Sequence, residues 1–232
     1  MIELSIIIPV FNKYNFTNRC LSDLFNLDEN TIEIIVVDNA SSDETQKELS
    51  KITRKNFVYI RQTKNEMFSG GSNIGYSVSK GSHILFLNND IKVNSNKSGW
   101  DKILLDELIT RPNTLIGITG GKLDDIANFI YETRANQRDF NYISGWFLAG
   151  SKKTLDKLIN KSNNELWSRD LFYFSDPDLC FRAEKLGIKL HLTEKIDIAH
   201  FGKISSGQLN ISALYKDGLA KFKQKWNNKE KK

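Results

Sequence analysis

Residues 4–12 read Leu-Ser-Ile-Ile-Ile-Pro-Val-Phe-Asn, an apolar run of strand length that ends in a polar residue. The pattern returns as Ile-Ile-Val-Val-Asp at 34–38 and as Ile-Leu-Phe-Leu-Asn-Asn-Asp at 84–90. Such runs are typical of parallel strands that are covered on both faces. Residues 57–60 predict one more strand, between the second and the last of these runs.

Helical patterns separate the strands. Between the first two, apolar residues recur at helical spacing at Phe16, Cys20, Leu21, Leu24 and Phe25. Ser41 and Glu44 have the spacing of a capping box, which predicts a helix start there. Ser-Gly-Gly-Ser-Asn at 69–73 predicts the start of another helix, which Gly81 ends. This alternation predicts an α/β fold, with a mostly parallel sheet and helices on both of its faces.

Polar residues follow three of the predicted strands, at Asn12, Asp38 and 88–90. The carboxyl ends of parallel strands meet at one edge of a sheet, and ligands bind there in open α/β sheets. The sequence therefore predicts a binding site at this edge.

A second polar cluster lies in Tyr-Phe-Ser-Asp-Pro-Asp-Leu-Cys-Phe-Arg at 173–182. Pro177 suits the first position of a helix, with Asp176 as its N-cap, and Gly187 suits its end. A carboxylate beside an aromatic cluster is also placed where a general base is useful. Asp178 and Arg182 stand four residues apart, so a local ion pair is expected between them.

Seven segments resemble, in family order, the signatures of family-2 glycosyltransferases: residues 5–12, 36–43, 69–75, 86–90, 142–150, 176–182 and 200–203. Each segment alone is common, whereas the ordered set, which spans roughly residues 3 to 205, is specific. The subgroup most similar is rhamnosyltransferase-like. The resemblance implies a single-domain A-type glycosyltransferase (GT-A) fold, a nucleotide-diphosphate sugar donor, a divalent metal and inversion at the anomeric carbon.

The resemblance also implies which residues bind the donor: Pro9, Phe11, Asn12, Asp38, Gly71, Asn73, Asn89 and Asp90. Phe11 could give the base a flat apolar surface, and Asp38 could accept a hydrogen bond from the imide N–H of uracil or thymine. The Gly70–Gly71 pair permits close backbone approach, and Asn73 could bind ribose or phosphate. Core packing for Phe11 and turn capping for Asp38 remain alternatives.

The expected metal site departs from the common family pattern, because Asn88-Asn89-Asp90 stands where many A-type enzymes carry Asp-x-Asp. One carboxylate, water and diphosphate oxygens can still hold Mg²⁺ or Mn²⁺. Asp90 and His200 are the predicted ligands, and imidazole favours Mn²⁺ over Mg²⁺. A structural role for His200 is the alternative, and weak metal binding is expected without donor.

By the resemblance, Asp176 is the catalytic base, and Ser175 stands where the family usually has Glu. Trp146, Tyr173 and Asp178 are the predicted acceptor contacts. Core packing is an equal alternative for Trp146 and for Trp167.

The length suggests one domain. The resemblance implies that it is a catalytic domain at 1–210, with a nucleotide-sugar half at 1–95 and an acceptor and catalytic half at 96–210. Cys20 and Cys180 are isolated, so core thiols are expected rather than a disulfide. No 20-residue apolar span or signal peptide is evident, and a cytoplasmic location is expected.

Residues 211–232 predict an amphipathic helix and a basic tail. The apolar positions recur every three or four residues, at Ile211, Leu214, Tyr215, Leu219, Phe222 and Trp226. Packing on the domain is the favoured role, and peripheral contact with an anionic membrane is the alternative. Nucleic-acid binding is not expected, because no accompanying motif is present.

The sequence thus predicts an inverting, metal-dependent glycosyltransferase that uses a UDP- or dTDP-sugar and a glycan or lipid-linked acceptor. Within the resemblance, dTDP-rhamnose is favoured over UDP-hexoses. The alternative is a catalytically silent module that binds nucleotide or glycan within a larger assembly. A nucleotidyltransferase is disfavoured, because Pro-Val-Phe-Asn-Lys at 9–13 is not the Gly-rich basic loop that such enzymes carry.

Overall fold

The computed structural model describes residues 1–94, 99–134, 139–202 and 211–227. The strands in these ranges are β1 Leu4–Val10, β2 Ile32–Asp38, β3 Phe57–Arg61, β4 His83–Leu87, β5 Ile91–Val93, β6 Thr114–Gly117, β7 Gly120–Leu123, β8 Phe129–Thr133, β9 Tyr142–Ile143, β10 Phe147–Ser151, β11 Lys189–Leu192 and β12 Ile198–His200. The four predicted amino-terminal strands are all present: β1 has its predicted bounds, and β2, β3 and β4 are extended by one to three residues.

The helices are α1 Tyr14–Leu24, α2 Thr45–Leu49, α3 Met67–Val78, α4 Trp100–Thr110, α5 Lys152–Asp156, α6 Ser175–Lys185 and α7 Ile211–Asn227, with a 3₁₀ segment at Arg169–Phe174. None of the helices in the described residues is long and apolar enough to cross a membrane.

The central sheet has seven strands in the order β11-β6-β10-β4-β1-β2-β3. Six run in one direction, and β10 is antiparallel to both of its neighbours, β4 and β6. The predicted mostly parallel α/β architecture is therefore confirmed. Two small antiparallel sheets, β8-β7-β9 and β12-β5, were not predicted.

Helices cover both faces of the sheet. Ile6 and Ile8 of β1 pack on the side that includes Leu24 of α1 and Leu104 of α4. Ile7 points to the other side, which includes Leu179 of α6. Successive β1 side chains are thus buried in two separate cores, which explains why the strand is apolar without alternation.

Two predicted helix starts are wrong. The Ser41 hydroxyl does not cap α2, because it accepts a 2.7 Å hydrogen bond from the backbone N–H of Asn12 on another loop. Asp176 is not the N-cap of α6; Phe174 holds that position without a side-chain cap, and Asp176 lies inside the first turn. Long-range contacts have displaced local capping at both sites.

Candidate active site

Strands β3, β2, β1 and β4 are parallel neighbours, so the loops that follow them meet at one edge of the sheet. Asn12 has a left-handed backbone (φ 55°), a conformation that Asn tolerates better than most residues. Its Oδ1 accepts a 2.7 Å bond from the backbone N–H of Ser42. The loops after β1 and β2 are thereby joined, beside the partly exposed Pro9 and Phe11.

Asp38 is fully buried at the end of β2. Its Oδ1 accepts a 2.8 Å bond from the Ser41 N–H, and its Oδ2 accepts from the Tyr59 hydroxyl at 2.8 Å and pairs with the Arg61 guanidinium. Burial, with the hydrogen bond to Asp38 adding to it, raises the pKa of Tyr59 to about 12. Asp38 therefore organises the strand ends: the Ser41 contact is the turn-capping role expected as the alternative, and its contact with a nucleobase imide stays a prediction.

The glycine-rich segment has a packing role. Gly71 lies inside α3 rather than in a loop, and a Cβ added there would stand 2.9 Å from Pro9 Cβ. Its missing side chain lets α3 approach the end of β1, which is a reason for glycine other than the predicted donor contact.

The amide of Asn73, also on α3, is committed to a distant loop. Its Oδ1 accepts from the N–H groups of Leu166 and Trp167, and its Nδ2 donates to the Trp167 carbonyl at 2.9 Å. The predicted ribose or phosphate contact is replaced by this structural one. Trp167 itself is fully buried in the core.

The segment after β4 brings the predicted metal ligands together. His200 Nε2 lies 3.0 Å from Asp90 Oδ1 and 3.2 Å from Asn88 Nδ2. The pairing of β12 with β5 sets this contact, because it places His200 opposite Ile91. Asn89 instead turns inward and donates to the Thr17 hydroxyl at 2.8 Å, so it fixes β4 to α1.

Trp146 fixes the orientation of the His200 ring. The two rings are stacked, with centroids 4.8 Å apart and an interplanar angle of 5°. The Trp146 indole N–H donates to the Thr119 hydroxyl at 2.6 Å and is thereby held in place. Trp146 is almost fully buried, so its predicted acceptor contact is limited to the small part that remains accessible.

The residues present fit a divalent cation that takes most of its ligands from a diphosphate. Asp90 supplies one carboxylate and His200 one imidazole, already in contact. No group of three or more His, Cys, Asp or Glu side chains that could hold a metal occurs in the described residues. Such a pair would leave several coordination positions for phosphate oxygens and water.

The carboxylate of Asp176 is held by two hydrogen bonds from the protein. The Gly145 N–H donates to its Oδ2 at 2.8 Å, and the Ser175 hydroxyl donates to its Oδ1 at 3.2 Å. A Cβ on Gly145 would lie only 3.1 Å from the Asp176 carboxyl carbon, so glycine permits this approach. Burial raises the pKa of Asp176 to about 6, although these two hydrogen bonds act against it. A carboxyl group with this pKa can take a proton near neutral pH.

A polar cleft of about 370 Å³ adjoins these groups and is lined by Thr119, Glu132, Thr133, Arg134, Trp146 and His200. The cleft thus includes His200 of the Asp90–His200 pair and Trp146, which directly follows the Gly145 that holds Asp176. Another cavity, of about 310 Å³, lies at the amino-terminal edge of the strands, where Glu33 and Asn56 contribute to its lining. It contains none of the predicted site residues.

Asp178 is fully buried, and both of its oxygens are engaged by protein donors. Oδ1 contacts the Lys225 ammonium at 2.6 Å and the Trp226 indole N–H at 3.0 Å. Oδ2 accepts from the Ser168 hydroxyl at 2.7 Å and from Arg182 Nε at 3.0 Å. The predicted ion pair with Arg182 is confirmed, whereas an acceptor contact is not what this buried geometry favours.

Helix α7 packs on the catalytic segment. Phe222 is buried and its ring lies 5.3 Å from that of Phe174 and 5.4 Å from that of Phe181. The apolar face of α7 is thus covered by the domain, in agreement with the favoured role; residues 228–232 of the predicted tail, and Lys203 of the His-Phe-Gly-Lys segment, lie outside the described residues. Tyr173 remains 42% exposed beside this contact.

Several site residues were not predicted. Tyr59 and Arg61 are two residues apart in β3, so both side chains lie on the face next to Asp38. The strand prediction for 57–60 could have indicated this. Gly145, Lys225 and Trp226 carried no comparable local signal, because their partners lie 31 to 48 positions away in the chain.

A mostly parallel sheet with a carboxylate and a His–Asp pair at its edge suits an enzyme that binds a nucleotide-linked substrate. The model of the family "Glycosyl transferase family 2" matches residues 5–156. The chain belongs to this family, as the ordered motifs predicted. The similarity to a rhamnosyltransferase-like subgroup stays a prediction.

Known proteins agree with this assignment. The chain is 27% identical over 179 residues to the GalNAc(5)-diNAcBac-PP-undecaprenol beta-1,3-glucosyltransferase of Campylobacter jejuni, covering 71% of this chain and 56% of that one. For three other curated glycosyltransferases, the matched region covers 13–16% of their length.

Solved structures share the fold. S. aureus TarS 1-349 in complex with UDP-GlcNAc superposes with a TM-score of 0.64 at 17% identity, covering 90% of this chain and 62% of that one. The mannosyltransferase PcManGT of Pyrobaculum calidifontis, in complex with GDP-Man and Mn²⁺, gives 0.62 at 13% identity, covering 82% and 54%. The predicted fold class is confirmed.

Proposed function

We propose that the protein transfers a sugar from a UDP- or dTDP-sugar to a hydroxyl group of a glycan or lipid-linked acceptor, with inversion at the anomeric carbon. The observation that carries this proposal is Asp176, whose pKa is raised to about 6 by burial and whose carboxylate is aimed by the Gly145 N–H. A rigidly held base of this kind suits proton removal from an acceptor.

In the proposed reaction, the acceptor oxygen forms a bond to the anomeric carbon while Asp176 takes its proton. The bond from that carbon to the diphosphate breaks, and the nucleoside diphosphate leaves with the electron pair. Attack from the side opposite the leaving group inverts the anomeric configuration. A base that acts on the acceptor alone requires no covalent intermediate.

Asp90 and His200 would hold a divalent metal, Mn²⁺ or Mg²⁺, which would stabilise the charge on the leaving diphosphate. His200 contributes an oriented imidazole, because Trp146 stacks against it and Asp90 contacts its Nε2. The remaining ligands would come from the donor, which makes metal binding and donor binding mutually dependent.

Two proteins of the same fold, in complex with UDP-GlcNAc and GDP-Man, support a nucleotide-sugar donor, and the first of them supports a uridine nucleotide. The donor would bind at the edge of the sheet that Asp38 and Arg61 occupy. We extend the proposal to a dTDP-rhamnose or UDP-hexose donor and to a cytoplasmic location. The Campylobacter relative, whose name includes an undecaprenol-linked glycan, supports a lipid-linked acceptor.

The test is a donor screen by calorimetry, with and without Mn²⁺, followed by a transfer assay with the donor that binds best. UDP or dTDP compounds should bind more tightly than ADP, and Mn²⁺ should strengthen the binding. If the protein binds a donor but neither transfers its sugar to any acceptor tested nor hydrolyses it, the silent binding module would be favoured. Equal binding of all nucleotides would contradict the proposed donor class.

A further inference from the structure

Helix α7 shapes the segment that leads into Asp176. Gly218 of α7 lies so close to the 3₁₀ segment that a Cβ there would stand 2.5 Å from the Leu171 carbonyl oxygen. In the last turn of α7, Lys225 and Trp226 bind the buried carboxylate of Asp178. The segment from 169 to 178 is therefore held against α7 at both of its ends.

Between these two anchors the backbone is strained. Phe172 has φ 43° and ψ −105°, a conformation that an aromatic residue rarely adopts. Such strain costs on the order of 1–3 kcal/mol and persists only where the surrounding structure imposes it. Its result here is that Phe174 points into the core while Tyr173 is 42% exposed.

Tyr215 of α7 completes an aromatic surface with Tyr173. The two ring centroids lie 6.1 Å apart at 56°, and Tyr215 is 40% exposed. The Phe174 ring, 5.3 Å from that of Tyr215, supports it from below. Because the spacing is too small for a ligand ring to enter between them, the tyrosines present one bent face.

This surface is close to the proposed base. Tyr173 precedes Asp176 by three residues. Tyr142 lies within electrostatic reach of both Asp176 and Tyr215. An acceptor that lay on the two tyrosines would therefore lie on the segment that carries Asp176.

We propose that Tyr173 and Tyr215 form a stacking subsite for a pyranose ring of the acceptor, built jointly by the catalytic segment and α7. The proposal rests on the proposed function and names the class of group that its acceptor carries. A pyranose ring presents an apolar C–H face and polar edges, which matches the apolar face and hydroxyl tip of tyrosine.

An ion pair lies on the exposed side of α7 near this surface. Asp217 pairs with Lys221 at 2.7 Å on the exposed side of α7, and Asp170 also lies within electrostatic reach of Lys221. The basic residue is thereby offset locally, whereas a surface for anionic lipids needs an uncompensated positive cluster.

The test is ligand-observed NMR titration with the methyl β-glycosides of glucose, galactose and N-acetylglucosamine and with methyl α-rhamnoside. We expect the wild type to bind at least one of them, and Tyr173→Ala and Tyr215→Ala to weaken that binding by about two- to tenfold. Tyr215→Phe, which keeps the ring but loses the hydroxyl, should bind more tightly than Tyr215→Ala. Ile109→Ala, which truncates an exposed apolar side chain on α4, is the matched control and should bind normally.

UDP calorimetry on the same samples keeps this inference separate from the proposed function. UDP affinity should be equal in all variants, and melting temperatures should verify that they fold. If the wild type does not bind UDP, the proposed function is contradicted, whereas the glycoside titration still decides whether the tyrosines bind a sugar. The subsite is overturned if the wild type binds none of the glycosides, or if Tyr215→Ala binds them normally. Reduced binding of Tyr215→Ala to phosphatidylserine vesicles, with glycoside binding unchanged, would overturn it in favour of a membrane contact.

Discussion

The backbone N–H of Gly145 donates a 2.8 Å hydrogen bond to Oδ2 of Asp176, 31 residues later in the chain. The residue after Gly145 is Trp146, which stacks on His200. One short turn thereby orients the proposed base on one side and the proposed metal ligand on the other. Small shifts in this turn should affect both functions together.

Asp176→Asn tests the base. Asn retains the shape of the side chain and can still accept the Gly145 hydrogen bond, so donor affinity should change little. Turnover should fall by roughly 10²–10⁴, the usual contribution of general-base catalysis. Asp170→Asn, an exposed position in the preceding 3₁₀ segment, is the control and should remain active. Transfer by Asp176→Asn at near wild-type rate would refute the assignment.

The pH dependence of turnover should report the raised pKa of Asp176. The carboxylate must be ionised to accept a proton, and its pKa is about 6 because it is buried. Turnover should therefore decline as the pH falls through about 6, with the lower limb of the profile near that value. A profile that stays flat down to pH 4.5 would show that this carboxyl group is not titrating in the rate-limiting step.

Ionisation of Asp176, which should raise turnover, should lower the free energy of unfolding. Its folded-state pKa of about 6 lies above the ordinary value of 3.8, so the folded protein binds more protons between these limits and loses stability as the pH rises through them. At pH 8, Asp176→Asn should be more stable than the wild type by about 1–3 kcal/mol. That advantage should vanish below about pH 4. Urea denaturation at both pH values measures it, and an equal advantage at both would contradict the shift.

Chelation should abolish transfer if Asp90 and His200 hold a metal. Asp90→Ala should weaken donor binding more in the presence of Mn²⁺ than in its absence, because it removes the one carboxylate at the site. His200→Ala should act in the same direction. Asp125→Ala, at an exposed acidic position on the β7–β8 loop, serves as the control. Full activity in excess EDTA would remove the metal from the mechanism.

Lys225→Met should destabilise the protein, because it takes one cation from the buried Asp178 carboxylate. Burial would raise the pKa of Asp178, but Arg182 and Lys225 outweigh it and hold the pKa below its usual value. The lost stability, about 1–3 kcal/mol at neutral pH, should shrink as the pH falls through the lowered pKa. Lys221→Met breaks the exposed pair with Asp217 and should cost under about 1 kcal/mol. Equal losses in urea denaturation would contradict the buried pair.

The sequence predicted the amino-terminal sheet well, because runs such as 34–38 are buried on both faces and need no partner information to be recognised. Strands β7 and β9 have four and two residues, too short to show a period, and their sheet was missed. The antiparallel direction of β10 was not predicted either, because the direction of a strand depends on the path of the chain between strands and not on the pattern of its own residues.

At the site, Asp90, His200 and Asp176 were predicted from motifs, and the structure brings the first two into contact. Gly71 and Asn73 received ligand roles from the family resemblance, whereas the structure shows helix packing for Gly71 and a bond to Trp167 for Asn73. Ser41 shows the same limit. The spacing of Ser41 and Glu44 fits a local capping box, but the Ser41 hydroxyl accepts its hydrogen bond from the distant backbone N–H of Asn12.

Asp178 and Trp226 are separated by 48 residues, so this carboxylate is synthesised well before the residues that bury it. A ribosome that adds about 5–20 residues per second needs roughly 2–10 s to travel that distance. During this interval the nascent chain can pair Asp178 with Arg182 but lacks the aromatic cover that Phe222 later provides. The strands β1 to β4 are already made by then, so the catalytic segment acquires its full cover later than the amino-terminal strands are synthesised.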